Sequence, residues 1–218
     1  MDNRHIPAVS LSATVDKPRI NPGGHVRIGY FIFTTTPIPS HKFIVYVPPA
    51  IVSGKIEVRT FSYGTQPGMA TPQPVCPQNV ATFATSPFTV KFHEYYFAER
   101  IGSNLPTLNS EGNVNCDGVE YPPVEVAFTI PTTAPTGDHL IVTRLAYEHQ
   151  GTGGIAQTEA TVHINTFGER NHNVLMGLLT ALLAGGPFLY SVLPASWQMW
   201  LVGLAAWVTI VILLLLRE

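Results

Sequence analysis

From Asn171 to Leu216 the chain carries no Asp, Glu, Lys or Arg, a run of 46 residues without a formal charge. A soluble stretch of that length would hold about ten, because roughly a quarter of residues are charged on average. A bilayer core about 30 Å thick needs about 20 apolar residues at a rise of 1.5 Å each. Two such spans fit here, 174–193 and 197–216. Pro194, Ala195 and Ser196 leave room only for a tight turn, so the two helices run antiparallel. The rival reading, two core helices of a soluble protein, fails for lack of chain. The other 170 residues would have to cover both helices on every side and still build a core of their own. The sequence therefore predicts an extramembrane domain over 1–170 and a transmembrane helical hairpin over 171–218.

Before Arg170 the pattern is that of strands. Val9, Leu11, Ala13 and Val15 alternate with Ser10, Ser12 and Thr14, and Val26, Ile28, Tyr30 and Ile32 form the next apolar row. Residues 42–47 and 56–62 follow, and Val90 and Phe92 open a strand expected to run on to Phe97. Val124, Val126, Phe128 and Ile130 alternate with Glu125, Ala127 and Thr129; residues 140–147 and 160–164 complete the set. Period-two alternation bounded by Pro and Gly turns marks half-buried strands. About eight of them predict a mainly β protein, an antiparallel β-sandwich, since each sheet needs a second apolar face to cover its own. Residues 64–87, with five prolines, and 98–123, rich in Asn, Gly and Ser, read as long connections. Loops of that length tend to be functional or disordered.

Two stretches resemble a known family. Asn21-Pro-Gly-Gly-His-Val-Arg-Ile resembles the opening of the second strand in prokaryotic Ig-like domains of the CARDB type. The segment from Val126 to Leu140, with Ile130-Pro-Thr-Thr-Ala-Pro-Thr-Gly at its centre, resembles their closing strand pair. The resemblance spans residues 8–165 and implies an Ig-like sandwich. It also implies a binding or spacer module working outside the cell, ahead of a C-terminal anchor.

The residues supply little chemistry. Blue copper needs two His and a Cys with a weak axial ligand, and neither Cys76 nor Cys116 is followed at short spacing by His or Met. The eight histidines are scattered, although His139 with His149, or His25 with His163, would be able to meet across sheets. There is no Cys-x-x-Cys-His, no Gly-rich phosphate loop and no Gly-x-Ser-x-Gly. No catalytic, metal or cofactor-binding residue is expected, nor a small-molecule substrate. The domain's 11 Lys+Arg against 13 Asp+Glu, with no basic run, exclude nucleic acid as a partner. No ionisable residue lies in either span, which argues against a proton or ion path.

What remains is packing and placement. Gly177, Ala181 and Gly185 recur every four residues, a helix-packing ridge on which a second helix approaches closely. Gly185-Gly186-Pro187 is expected to kink or loosen the first helix. Residues 1–30 lack an apolar signal core, and Arg170 and Arg217 flank the hairpin while its turn has neither Lys nor Arg. Both points favour a multi-pass protein of the cell (inner) membrane with its domain on the cytoplasmic side. Cys76 and Cys116, each in a Pro/Gly/Asn-rich loop, point the other way, as a possible disulfide of an exported domain. The leading expectation is a non-catalytic accessory subunit of a multi-subunit membrane complex, such as a respiratory or photosynthetic one. Its partners would be other subunits and the lipid bilayer. The alternative is an anchored surface module that binds protein or glycan outside the cell.

Overall fold

Ten strands form two five-stranded sheets in a computed structural model that describes residues 9–34, 40–64, 73–90, 114–116, 119–149 and 151–217. The chain falls into two compact units, Met1–Ile164 and Asn165–Glu218. In the first, one sheet has the order β1-β3-β10-β5-β6. Its strands are β1 (Val9–Val15), β3 (His25–Thr34), β5 (Ser53–Gly64), β6 (Gln73–Phe83) and β10 (Val124–Thr129). The other has the order β2-β12-β11-β4-β7. It comprises β2 (Arg19–Ile20), β4 (Ser40–Tyr46), β7 (Phe88–Val90), β11 (Gly137–His149) and β12 (Thr152–Ile164). A separate two-stranded ribbon joins β8 (Val114–Cys116) to β9 (Val119–Tyr121).

The alternation read from the sequence settles which side chains fill the space between the sheets. Val26, Ile28, Tyr30 and Ile32 of β3 and Val124, Val126 and Phe128 of β10 are buried, whereas Thr129 is exposed. From the facing sheet come Phe43 and Val45 of β4, Ile141 and Leu145 of β11, and Ala160, Val162 and Ile164 of β12. Tyr30 meets Phe43 edge to face, with centroids 5.3 Å apart and planes at 82°, the offset geometry that aromatic quadrupoles favour. The single buried polar side chain among the described residues, Thr143, is bonded rather than stranded, as a buried hydroxyl must be.

The turn at Asn21-Pro-Gly-Gly is fixed from both sides. Gly23 takes a φ of +83°, which favours glycine. A Cβ on Gly24 would collide with the Ile20 side chain. The Gly23 amide donates to Ile130 O, and the Ile130 amide donates back to Gly24 O. The turn is thus tied to the end of β10, 106 residues further on.

Four features depart from the pattern read in the sequence. Among the described residues the strands number twelve rather than about eight. One pair is parallel, β2 on β12, with the His163 amide donating to Pro18 O at 2.8 Å. The N-terminal strand leaves one sheet at Val15 and joins the other at Arg19. Second, the proline-rich stretch expected to be a connection contains β6. As an edge strand, β6 tolerates proline, because one of its sides needs no donors. Thr60 pairs with Asn79 but Ser62 with Val75, so Cys76, Pro77 and Gln78 bulge opposite Phe61. Third, the other long connection contains β8 and β9. Fourth, β12 begins at Thr152 and not at Ala160, because Gly153 and Gly154 hide the alternation. Tyr147 lies over Gly154, where a Cβ would strike its ring. The expected extension from Val90 to Phe97 lies outside the described residues beyond Val90.

The second unit is two helices, α1 (Phe167–Val192) and α2 (Ala195–Arg217). The apolar spans were placed at 174–193 and 197–216; α1 begins seven residues earlier than the first. Its start is set by capping rather than hydropathy. Thr166 Oγ1 accepts from the Glu169 amide at 3.2 Å, and a Glu169 carboxylate oxygen accepts from the Thr166 amide at 2.9 Å. Reciprocal caps of this kind satisfy two otherwise unpaired helix-end donors. α1 runs through Pro187 as one helix.

Candidate functional surfaces

The described titratable groups form no reactive constellation. No group of three or more His, Cys, Asp or Glu among the described residues is placed to hold a metal ion. His163 Nδ1 bonds Asp138 Oδ1 at 2.7 Å, His139 Nε2 lies 2.8 Å from Pro135 O, and His25 Nδ1 lies 3.5 Å from Thr129 Oγ1. His25 and His163, considered for a meeting across sheets, each have a bonding partner on the neighbouring strand. The side chain of His149 lies outside those described. Burial pushes the Tyr30 phenol up to about 12, against the opposing hydrogen bond from Thr143. That is a property of the core and supplies no acid or base at neutral pH.

Two surfaces have the character of contact sites. The first is the outer face of the sheet β2-β12-β11-β4-β7. Three central strands place their outward side chains in rows: Tyr46 beside Val142 and Glu159, then Ile44 beside Arg144 and Gln157, then Lys42 beside Ala146 and Ile155. Tyr46 and Leu140 are each 44% exposed and Ile155 is 72% exposed. Across these apolar groups runs a bonded polar chain. Arg144 Nε donates to Gln157 Oε1 at 2.8 Å, and Gln157 Nε2 donates to Glu159 Oε1 at 3.0 Å. Neither Arg144 nor Gln157 nor Glu159 was singled out from sequence. Gln157 and Glu159 sit in the half of β12 whose alternation the glycines conceal, and only the β11–β12 pairing brings Arg144 beside them.

The second surface is the helical hairpin. Both helices are long and apolar enough to cross a membrane, and nearly all of their apolar residues are unburied. Of the three ridge residues, Ala181 and Gly185 line an apolar crevice of about 380 Å³ together with Leu201, Val202 and Ala205 of α2. A Cβ built on Gly177 or on Gly185 meets no atom within 4 Å. The hairpin turn is clasped by Gln198, whose Nε2 donates to Tyr190 O and Leu193 O, both at 3.1 Å. Its signal in the sequence is a lone amide one residue inside an otherwise apolar span. Cys76 lies in β6 and Cys116 in β8; their side chains lie outside those described.

No family model and no curated protein matches the chain. Among solved structures, the seventh ScaB type I cohesin of Pseudobacteroides cellulosolvens is similar at 10% identity and a TM-score of 0.34, covering 72% of this chain and 92% of its own. A non-cellulosomal cohesin of Archaeoglobus fulgidus is similar at 12% identity and a TM-score of 0.33, over 76% and 96%. AggA, the major subunit of an Escherichia coli aggregative adherence fimbria, is similar at 9% and 0.29, over 74% and 95%. No family model of the CARDB type that the two motifs resemble matches the chain, so that resemblance remains one of turns.

Proposed function

We propose that the chain is a non-catalytic, membrane-anchored interaction module: a β-sandwich that binds protein, held by a hairpin that packs among neighbouring helices. The observation that carries this reading is the exposed apolar surface of the two helices. Phe188 is 70% and Trp200 77% exposed, and burying such a side chain is worth about 1.5–3 kcal/mol. A bilayer covers it. The ridge Gly177, Ala181 and Gly185 offers close approach within that bilayer. A place in a larger membrane complex follows from this reading, the complex itself being unspecified. Arg170 in the first turn of α1 and Arg217 at the end of α2 come to one end of the antiparallel hairpin. By the positive-inside rule this supports a reading with both termini in the cytoplasm.

The surface-module alternative is favoured by one specific observation, two cysteines on strands of one domain. It expects a Cys76–Cys116 disulfide and a domain outside the cytoplasm. Thiol labelling of intact cells and of permeabilised cells separates the two placements.

The function is tested by Gly177→Leu with Gly185→Leu. Within this chain an added Cβ at either site meets nothing, so the variant should leave its own hairpin and its membrane insertion intact. Extracted from native membranes in mild detergent, the wild-type chain should carry neighbouring membrane subunits with it, and the double variant should come away without them. An unchanged assembly, or turnover of a substrate by the sandwich alone, would overturn the reading.

A further inference from the structure

The outer face of the sheet β2-β12-β11-β4-β7 is its own complement. Arg144 and Glu159 are both exposed, carry opposite charge and sit on adjacent strands one row apart, since Val142 pairs with Glu159 and Arg144 with Gln157. Their bonds to Gln157 hold both heads in place before any partner arrives. A two-fold axis lying in the plane of this face, midway between the two residues, lays Arg144 of one copy on Glu159 of the other, and the reverse. With strands about 4.8 Å apart and side chains of one face repeating about every 6.7 Å along each strand, the same axis brings Tyr46 against Tyr46 and Gln157 against Gln157.

We propose that this face is a docking surface for a second copy of this chain, closing an isologous dimer through Tyr46, Leu140, Val142 and the reciprocal pair Arg144–Glu159. The inference rests on the interaction-module reading and names the partner of its sandwich. Isologous two-fold contacts are the commonest closed association. Three strands across and about seven residues along, with the short β2 and β7 at the edges, give the face a projected area on the order of 400 Å². Side-chain relief raises this toward the roughly 600 Å² per partner at the lower bound of stable interfaces. Desolvated charge pairs at the centre then set orientation, and exposed apolar neighbours supply the rest.

The full chain in detergent, followed by sedimentation over a range of concentrations, tests the proposal. Wild type should pass from monomer to dimer. Arg144→Glu and Glu159→Arg should each weaken the dimer at least about tenfold, by setting like charges against each other. The double reversal should restore it to within about threefold of wild type. Both positions are exposed, so near-ultraviolet circular dichroism should stay native in every variant. Wild type that stays monomeric throughout, single reversals without effect, or a double reversal no better than either single would overturn it. A foreign protein lost on both reversals while wild type stays monomeric would overturn it in favour of that partner. The helix variant Gly177→Leu with Gly185→Leu acts elsewhere, so loss of this dimer and failure of the anchor reading are separate results.

Discussion

Thr143 and Tyr30 show what a single buried hydrogen bond does in this sandwich. They lie 113 residues apart on opposite sheets, and Thr143 Oγ1 donates to the Tyr30 hydroxyl at 2.9 Å. Both are fully enclosed, so removing one partner leaves the other with neither water nor protein to bond. Thr143→Val or Tyr30→Phe should therefore cost about 1–3 kcal/mol in chemical denaturation. The double variant should cost less than the sum of the two, a coupling that a double-mutant cycle reads directly. The same enclosure gives a pH dependence. Burial disfavours the phenolate and holds Tyr30 near 12 rather than 10. Its contribution to stability is complete below pH about 10 and is lost as the pH rises toward 12, because the unfolded chain releases the proton first. Tyr30→Phe should flatten that alkaline loss.

At the scale of elements, ends and edges decide more than interiors. α1 starts where the Thr166–Glu169 capping box lets it, not where the apolar run begins. Its far end is finished by another helix's side chain. The last carbonyls of a helix have no internal partner, and in this hairpin the Gln198 amide serves those of Tyr190 and Leu193. Gln198→Leu keeps the span apolar and removes both bonds. Insertion should be unaffected, while the hairpin should lose about 1 kcal/mol in a denaturing-detergent titration. Strand β6 teaches the same lesson in the sheet, since Pro77 would break a central strand but sits in a bulge on an edge.

For the whole molecule, the division at Ile164 and Asn165 carries a direct consequence. The sandwich core, from Leu11 to Ile164, is built from the first unit's own residues. A chain ending after residue 170 should therefore stay soluble, melt cooperatively and keep its near-ultraviolet circular dichroism. A noncooperative melt would show that the hairpin completes the core. The proposed binding through the sheet face and the proposed packing through the helices are then separable, each with its own variants.

The sequence by itself determined which side of the regularly alternating strands, such as β1 and β3, faces inward, where the membrane-length spans lie and where the Asn21-Pro-Gly-Gly turn falls. These are local properties: a side-chain period of two, an uninterrupted apolar run, and a Pro-Gly-Gly triplet are each legible within about twenty residues. The four-residue spacing of Gly177, Ala181 and Gly185 was legible for the same reason. Only the tertiary structure decided which strands are neighbours, because that depends on which faces cover each other and not on any one segment. It split the N-terminal strand between two sheets and made an edge strand of a proline-rich stretch. It also drew Tyr46, Arg144, Gln157 and Glu159 onto one face from three strands. Outward side chains carry no periodic signal of a common surface until hydrogen-bonded registers set them side by side. For that reason the proposed docking face could be read only from the fold.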